Sequence, residues 1–188
     1  MFVFGGNKEQ KLVKRLRQGD SRAMREFYDQ FAGYLAGVCS RYIGNDDDAK
    51  DVLQDCLLRI IAGIDKFEYR GDGSLQSWIT RIAVNQSLSF ITQRKRMEMT
   101  ALDRDVQDTA EEDEPDLHDI PPDVIHEMVR NLPDGYRTVF NLYVVENKSH
   151  KEIASILNIK EASSASQLHR AKNMLAKEIN RYRNKKQS

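Results

Sequence analysis

Residues Ser149 to Lys172, SHKEIASILNIKEASSASQLHRAK, constrain this chain more than any other stretch. They specify two short helices, the turn between them and the polarity of each face. Ser149 followed by Glu152 is a capping box: the serine side chain accepts from the third helical N–H and the glutamate reaches back. Ile153, Ala154, Ile156 and Leu157 supply an apolar face for a helix of about two turns. Asn158 tolerates the left-handed backbone of a sharp helix stop, and Ile159 beyond it can pack back onto the helix end. Ser163 or Ser164 can cap a second helix with Leu168, Ala171 and Leu175 facing inward. Its other face carries Ser166, Gln167, His169, Arg170 and Lys172, side chains that hydrogen-bond or carry positive charge. This is the layout of a helix-turn-helix whose second helix enters a DNA major groove. An ordinary helical hairpin with a solvated face shares the pattern.

The overall charge looks wrong for a nucleic-acid binder, since 29 basic residues balance 29 acidic ones. The balance is uneven along the chain. Glu98 to Asp123 holds eleven acidic residues and one basic, Arg104, which leaves 28 basic against 18 acidic elsewhere. Two basic helical blocks are thus joined by an acidic tether with too little apolar density to fold alone. The expected architecture is all-α, with domains 1–97 and 122–188 and a flexible linker over 98–121.

Cys39 and Cys56 have no metal-ligand spacing and no partner motif, and read as buried apolar residues in a reducing cytoplasm. The short apolar run in MFVFGGNKEQ is no signal peptide, and no later run could span a bilayer, so no membrane insertion is expected. Enzyme signatures are missing too. Gly71-Asp72-Gly73 lacks the strand and lysine of a phosphate loop, and the histidines are scattered, so no catalysis, metal or cofactor is expected.

In the first domain, Lys8–Arg17 reads as an amphipathic helix with Leu12, Val13 and Leu16 inward, and Asp20 or Ser21 caps the next. Residues 22–43 bring Met24, Phe27, Phe31, Leu35, Val38 and Cys39 together at three- and four-residue steps. Asp46, Asp47 and Asp48 suit a helix N-terminus better than a metal site. The helix from Ala49 to Ile64 should bury Val52, Leu53, Cys56, Leu57, Ile60 and Ile61. Asp51, Gln54, Asp55 and Leu58 lie opposite, as a solvated face or a partner-binding one. After the loop KFEYRGDGS, Ser74 caps a helix whose core side is Leu75, Trp78, Ile79, Ile82 and Ala83. Trp78 fits a core role better than a base-stacking one. Asn85, Gln86, Ser89 and Gln93 on the exposed side can read base edges, and Arg94, Lys95 and Arg96 can anchor phosphates. The helix macrodipole alone also favours such a basic end. In the second domain Pro121 and Pro122 open a helix through Asn131. Asp134 then caps one reaching Val145, burying Val139, Phe140 and Tyr143.

Taken in order, these segments resemble the bacterial RNA-polymerase sigma factors of the small extracytoplasmic-function group, over nearly everything from Leu12 to Ile179. DAKDVLQDCLLRI resembles the helix that grips the clamp helices of the polymerase β′ subunit, with Asp51, Gln54 and Asp55 matching and Leu58 beside them. GDGSLQSWITRIAVNQSLSFITQRKR resembles the segment that captures and melts the minus-ten element. The resemblance implies that Phe67, Tyr69, Arg70, Gly71, Asp72, Gly73 and Ser74 hold a flipped-out base, which costs about a few kcal/mol of unstacking. LPDGYRTVFNLYVVENKSHKEIASILNI resembles the lead-in and first helix of the minus-thirty-five reader. The second helix matches at Ser163, Ser166, Arg170 and Lys172, with Ser164, Ala165 and His169 completing the implied DNA-reading set. It departs at Ala162, where glycine is usual, and at Ala165, where a basic residue is common. Ala165 offers thymine a methyl contact but guanine no bidentate grip.

The resemblance implies a transcription initiation factor that catalyses nothing itself. Its implied partners are core RNA polymerase (β′ and β subunits), promoter DNA in double- and single-stranded form, and an anti-sigma factor. A conventional helix-turn-helix regulator binding duplex DNA as a dimer is one alternative. A sigma mimic that sequesters an anti-sigma factor is another.

Overall fold

The computed structural model describes residues 6–98 and 120–187, and all regular structure among them is helical. The helices are Gly6–Arg17 (α1), Ser21–Tyr42 (α2), Asp46–Gly63 (α3), Ser74–Glu98 (α4), Pro122–Arg130 (α5), Asp134–Phe140 (α6), His150–Leu157 (α7) and Glu161–Gln187 (α8). A 3-10 turn, Ile64–Lys66, follows α3, and a π-helical turn, Asn141–Val145, continues α6. The chain separates into two compact units, Met1–Phe90 and Ile91–Ser188, with the division inside α4. Residues 99–119, most of the acidic tether, lie outside the described residues.

In the first unit the starts of α2 and α3 are each set by a short polar side chain. Asp20 caps α2 by accepting from the Arg22 and Ala23 amides. The Arg15 guanidinium, 2.8 Å from Asp20, and the backbone bonds hold that carboxyl below its ordinary range. Asn45 caps α3 through the Asp47 and Asp48 amides, so the acid run sits in a first turn, where the helix dipole favours it. Phe27, Leu35 and Val38 from α2, Val52, Cys56 and Ile60 from α3 and Leu75, Ile79 and Ala83 from α4 are buried, and α2 packs against α3. Leu12, Val13 and Leu16 of α1 are buried with them.

The structure departs from the periodicity reading at Met24 and along α3. Met24 is 36% exposed at the rim of the core. Leu53, Leu57 and Ile61 are half-buried, because the fully buried stripe of α3 is narrow and runs through Ala49, Val52, Cys56 and Ile60. Cys39 and Cys56, which the sequence gives no reason to pair, are free thiols in hydrogen-bonding contact. That bond and burial push the Cys56 thiol far above its ordinary value.

In the second unit α5, α6 and α7 pack on α8. Val129 and Leu132 meet Ala171 and Leu175 in one cluster, with Tyr136 and Phe140 against it. Arg137 is 4% exposed, and its guanidinium donates to the Arg130 and Leu132 carbonyls, both at 2.7 Å. It thereby serves the carbonyl end of α5 while pairing with Asp134. Pro133 occupies the cap position of α6, so the expected cap Asp134 stands one residue inside the helix and makes no capping bond. The π turn widens the helix after Phe140, as the Glu146 amide reaching the Asn141 carbonyl at 3.0 Å shows. This shifts the register, which is why Tyr143 is 39% exposed rather than buried.

The capping box of α7 forms as expected: Ser149 accepts from the Glu152 amide, and Glu152 accepts the Ser149 N–H at 2.9 Å. The Ser149 bonds draw the Glu152 carboxyl below its ordinary value. Its contribution is therefore complete above the ordinary carboxylate range and disappears as pH falls through the lower folded value. Ser149→Ala should destabilise the second unit by about 1 kcal/mol. Amide NMR shifts of α7, followed downward through the carboxylate range, should reproduce in the parent at low pH the fraying seen in the mutant at neutral pH.

Candidate functional site

The segment between the 3-10 turn and α4 is built around two glycines with positive φ, Gly71 at 111° and Gly73 at 80°. Side chains with a Cβ adopt that backbone only with strain. Within it the Tyr69 hydroxyl donates to Asp72 at 2.9 Å, and the Arg70 amide donates to the Ser74 hydroxyl at 3.2 Å. Both ends of the segment are held from α1. Glu9 is 3% exposed and accepts from the Gly73 amide at 2.8 Å, the Leu75 amide at 2.7 Å and the Ser74 hydroxyl at 3.2 Å. Arg17 donates to the Ile64 carbonyl at 3.2 Å and also to the Phe67 carbonyl. Ser74 is thus the first residue of α4 rather than its cap, and the capping acceptor is a carboxylate 64 to 66 residues away.

Beside this loop lies a cleft of about 500 Å³. Phe67, Trp78, Ser74 and Ser77 line it, together with the cations Lys66, Arg70 and Arg81. That volume lies within the range of small-ligand sites and accommodates one nucleobase. Phe67 is buried and meets Trp78 with ring centroids 5.2 Å apart. Trp78, for which the sequence favours a core role over a base-stacking one, is half-buried and also walls the cleft. The Arg70–Glu68 pair at 3.0 Å is largely solvent-exposed and holds little energy.

Farther along α4, Asn85, Ser89, Gln93 and Arg94 are exposed and Gln86 is half-buried. Lys95 and Arg96 lie on the helix, but their side chains are outside the described residues. On α3, Asp51, Gln54, Asp55 and Leu58 are all exposed, Leu58 to 69%.

The helix-turn-helix closes as its turn chemistry requires, with Asn158 at φ 53° and ψ 48°. Its second helix, α8, begins at Glu161, and the Ser164 amide bonds the Lys160 carbonyl at 3.1 Å. Neither Ser163 nor Ser164 is therefore the cap. Ser164 is fully buried with its hydroxyl 3.0 Å from His150 Nδ1, so it ties α7 to α8 and cannot read DNA. His150 in turn stacks on Tyr143 at 4.7 Å. Ala165, Ser166, His169 and Lys172 are exposed, and Ser163 is half-buried. Arg170 is half-buried, its Nη1 3.4 Å from the Tyr136 hydroxyl. His169 has Nε2 3.2 Å from the Asn173 amide nitrogen.

Among the described residues no group of three His, Cys, Asp or Glu is placed to hold a metal ion, and no helix is long and apolar enough to cross a membrane.

The family pattern of Sigma-70 region 2 matches residues 27–97, and that of Sigma-70, region 4 matches residues 123–175. The chain belongs to the sigma-70 family, in its extracytoplasmic-function group. As a sigma factor it is a transcription initiation factor with a DNA-binding region 4. It is 26% identical over 182 residues to the ECF RNA polymerase sigma-E factor of Haemophilus influenzae, covering 91% of this chain and 95% of that one. It is also 26% identical over 180 residues to the ECF RNA polymerase sigma factor SigW of Bacillus subtilis, covering 90% and 95%. Among solved structures, the sigma factor RpoE in complex with the anti-sigma factor NepR from Bartonella quintana aligns with TM-score 0.47 and 21% identity. That alignment spans 83% of this chain and 96% of RpoE.

Sequence reasoning missed Glu9 and Arg17, although a signal for Glu9 existed. Positions 9, 12, 13 and 16 share one helical face, so a carboxylate stands in line with Leu12, Val13 and Leu16. The revised role of Ser164 separates two neighbours in this sigma factor. Ser164→Ala should destabilise the second unit by about 0.5–1.5 kcal/mol in urea titration, the net value of one hydrogen bond. Ser166→Ala, at an exposed position, should leave stability unchanged.

Proposed function

We propose that this sigma factor brings core RNA polymerase to a subset of promoters by reading two elements and trapping one unstacked base. Residues 1–97 serve polymerase and minus-ten binding, 122–188 serve minus-thirty-five binding, and 98–121 link them. The observation that carries this reading is the cleft beside the glycine loop, where Phe67 and Trp78 lie among Lys66, Arg70 and Arg81. Aromatic stacking is worth about 1–3 kcal/mol per base, comparable to the cost of unstacking one. The cations suit the flanking phosphates. Asn85, Gln86, Ser89 and Gln93 then address base edges along α4, with Arg94, Lys95 and Arg96 anchoring the backbone.

In the second unit Ala165, Ser166 and His169 are outward residues of α8, with the exposed Lys172 suited to phosphate. Arg170, braced by Tyr136, reaches the groove with a restricted guanidinium. On α3 an exposed Leu58 beside Asp51, Gln54 and Asp55 supports a partner face over a solvated one, because burying one leucine side chain is worth about 1.5–3 kcal/mol. The partner proposed there is the β′ clamp of core polymerase, with the β subunit and an anti-sigma factor as further partners. The factor works in the cytoplasm, where the polymerase performs the chemistry.

Transcription from a randomised promoter library with purified core polymerase tests the whole reading. A conserved pair of upstream elements among the transcripts is the expected result. Duplex binding without transcription would mark a conventional regulator, and anti-sigma binding without either would mark a mimic. Charge reversal at Asp51 and Asp55 should abolish holoenzyme formation while leaving helicity and Tm unchanged; undiminished binding to core polymerase would remove the α3 assignment. Trp78 is the only tryptophan in the chain, so its emission reports on the cleft. In holoenzyme reconstituted with tryptophan-free core polymerase, promoter opening should shield Trp78 from acrylamide, and unaltered quenching would empty the cleft of its assigned role.

A further inference from the structure

We propose that α1 is a splint for the base-capture loop, with Glu9 and Arg17 as positioning residues that hold the cleft in its receptive shape before DNA arrives. The proposal rests on the reading of that cleft as the site of the unstacked base. Glu9 accepts three hydrogen bonds, all from the last residues of the loop and the first of α4. A carboxylate at 3% exposure is tolerated only when fully bonded, so its partners are a condition of its being there. Arg17 lies eight residues further along the same helix, or about 12 Å at the α-helical rise. From there it grips the other end of the loop, through the Ile64 and Phe67 carbonyls.

One rigid helix thus fixes both ends of the segment. Phe67 and Ser74, one held by Arg17 and the other by Glu9, both line the cleft. Between Phe67 and Gly73, the two ends held from α1, lies Gly71 at φ 111°, and this middle is the part left to adapt to a base. A base entering such a cleft does not have to order the loop first, and ordering removed from the binding step appears as affinity. The positioning role differs from simple packing because its effect should fall on base capture and not on polymerase binding.

The test uses the full chain in holoenzyme, on a promoter taken from the library selection, with 2-aminopurine replacing single bases of its melted segment. Glu9→Ala should accelerate hydrogen exchange at the Gly73 and Leu75 amides and reduce the 2-aminopurine unstacking equilibrium at least about tenfold, the effect of losing one hydrogen bond to a charged group. Glu9→Gln, which keeps the shape and an acceptor oxygen, should restore part of it. Core-polymerase affinity and minus-thirty-five binding should stay at parental values in both. Arg17→Met, which keeps the aliphatic stem, should reproduce the defect from the other end and serves if Glu9→Ala does not fold. Ser77→Phe, which fills the cleft, separates the two levels. If it abolishes base capture while Glu9→Ala and Arg17→Met capture normally, the splint is overturned and the cleft stands. If Ser77→Phe captures normally, the cleft reading falls and the splint with it.

Discussion

The first amides of α4 have no capping acceptor in their own neighbourhood, and the first unit is built to meet that need. A helix start leaves its leading N–H groups unpaired, and leaving them unpaired in a buried place costs about 1–3 kcal/mol each. Gly73 at the cap position has no side chain to offer, and the Ser74 hydroxyl is already engaged with Arg70 and Glu9. The acceptor comes from α1. That choice requires α1 to lie across the start of α4, which in turn buries Leu12, Val13 and Leu16 and sets the position from which Arg17 reaches the preceding carbonyls. The loop and its cleft are consequences of this arrangement rather than independent features.

What could be read from the sequence was whatever depends on near neighbours. The capping box of Ser149 and Glu152 involves residues three apart, and the left-handed Asn158 is a property of one residue, so both were legible. The inward faces of α1 and α8 were legible because helical periodicity is local as well. Interactions between distant residues were not. Nothing near Ser164 announces that His150 will bury its hydroxyl, and a serine just ahead of a helical run looks like a cap. The π turn at Asn141–Val145 escaped for a different reason: one extra residue in a turn rotates everything after it, and a reading at fixed period then assigns Tyr143 to the wrong side. Trp78 was ambiguous because it has two environments, one ring edge against Phe67 and another on the cleft.

The candidate DNA-reading surfaces share a division between fixed and adaptable parts. In α8 the buried side, Leu168, Ala171 and Leu175, together with Ser164 holds the helix in place. Ala165 and Ser166, small or short side chains, are exposed beside the longer His169 and Lys172. Arg170, the longest side chain there, is braced by Tyr136. Bracing lowers the rotamer entropy lost on contact, which matters most for a residue with so many free torsions.

The Cys39–Cys56 pair has a practical corollary. These are the chain's only cysteines, and both lie at 0% exposure within the first unit, whereas the second unit has none. Thiol reagents therefore address just one half of the molecule, and only while its core is open. The rate of alkylation in the intact factor is a clock for the opening of the first unit alone, read without labels and without dividing the chain.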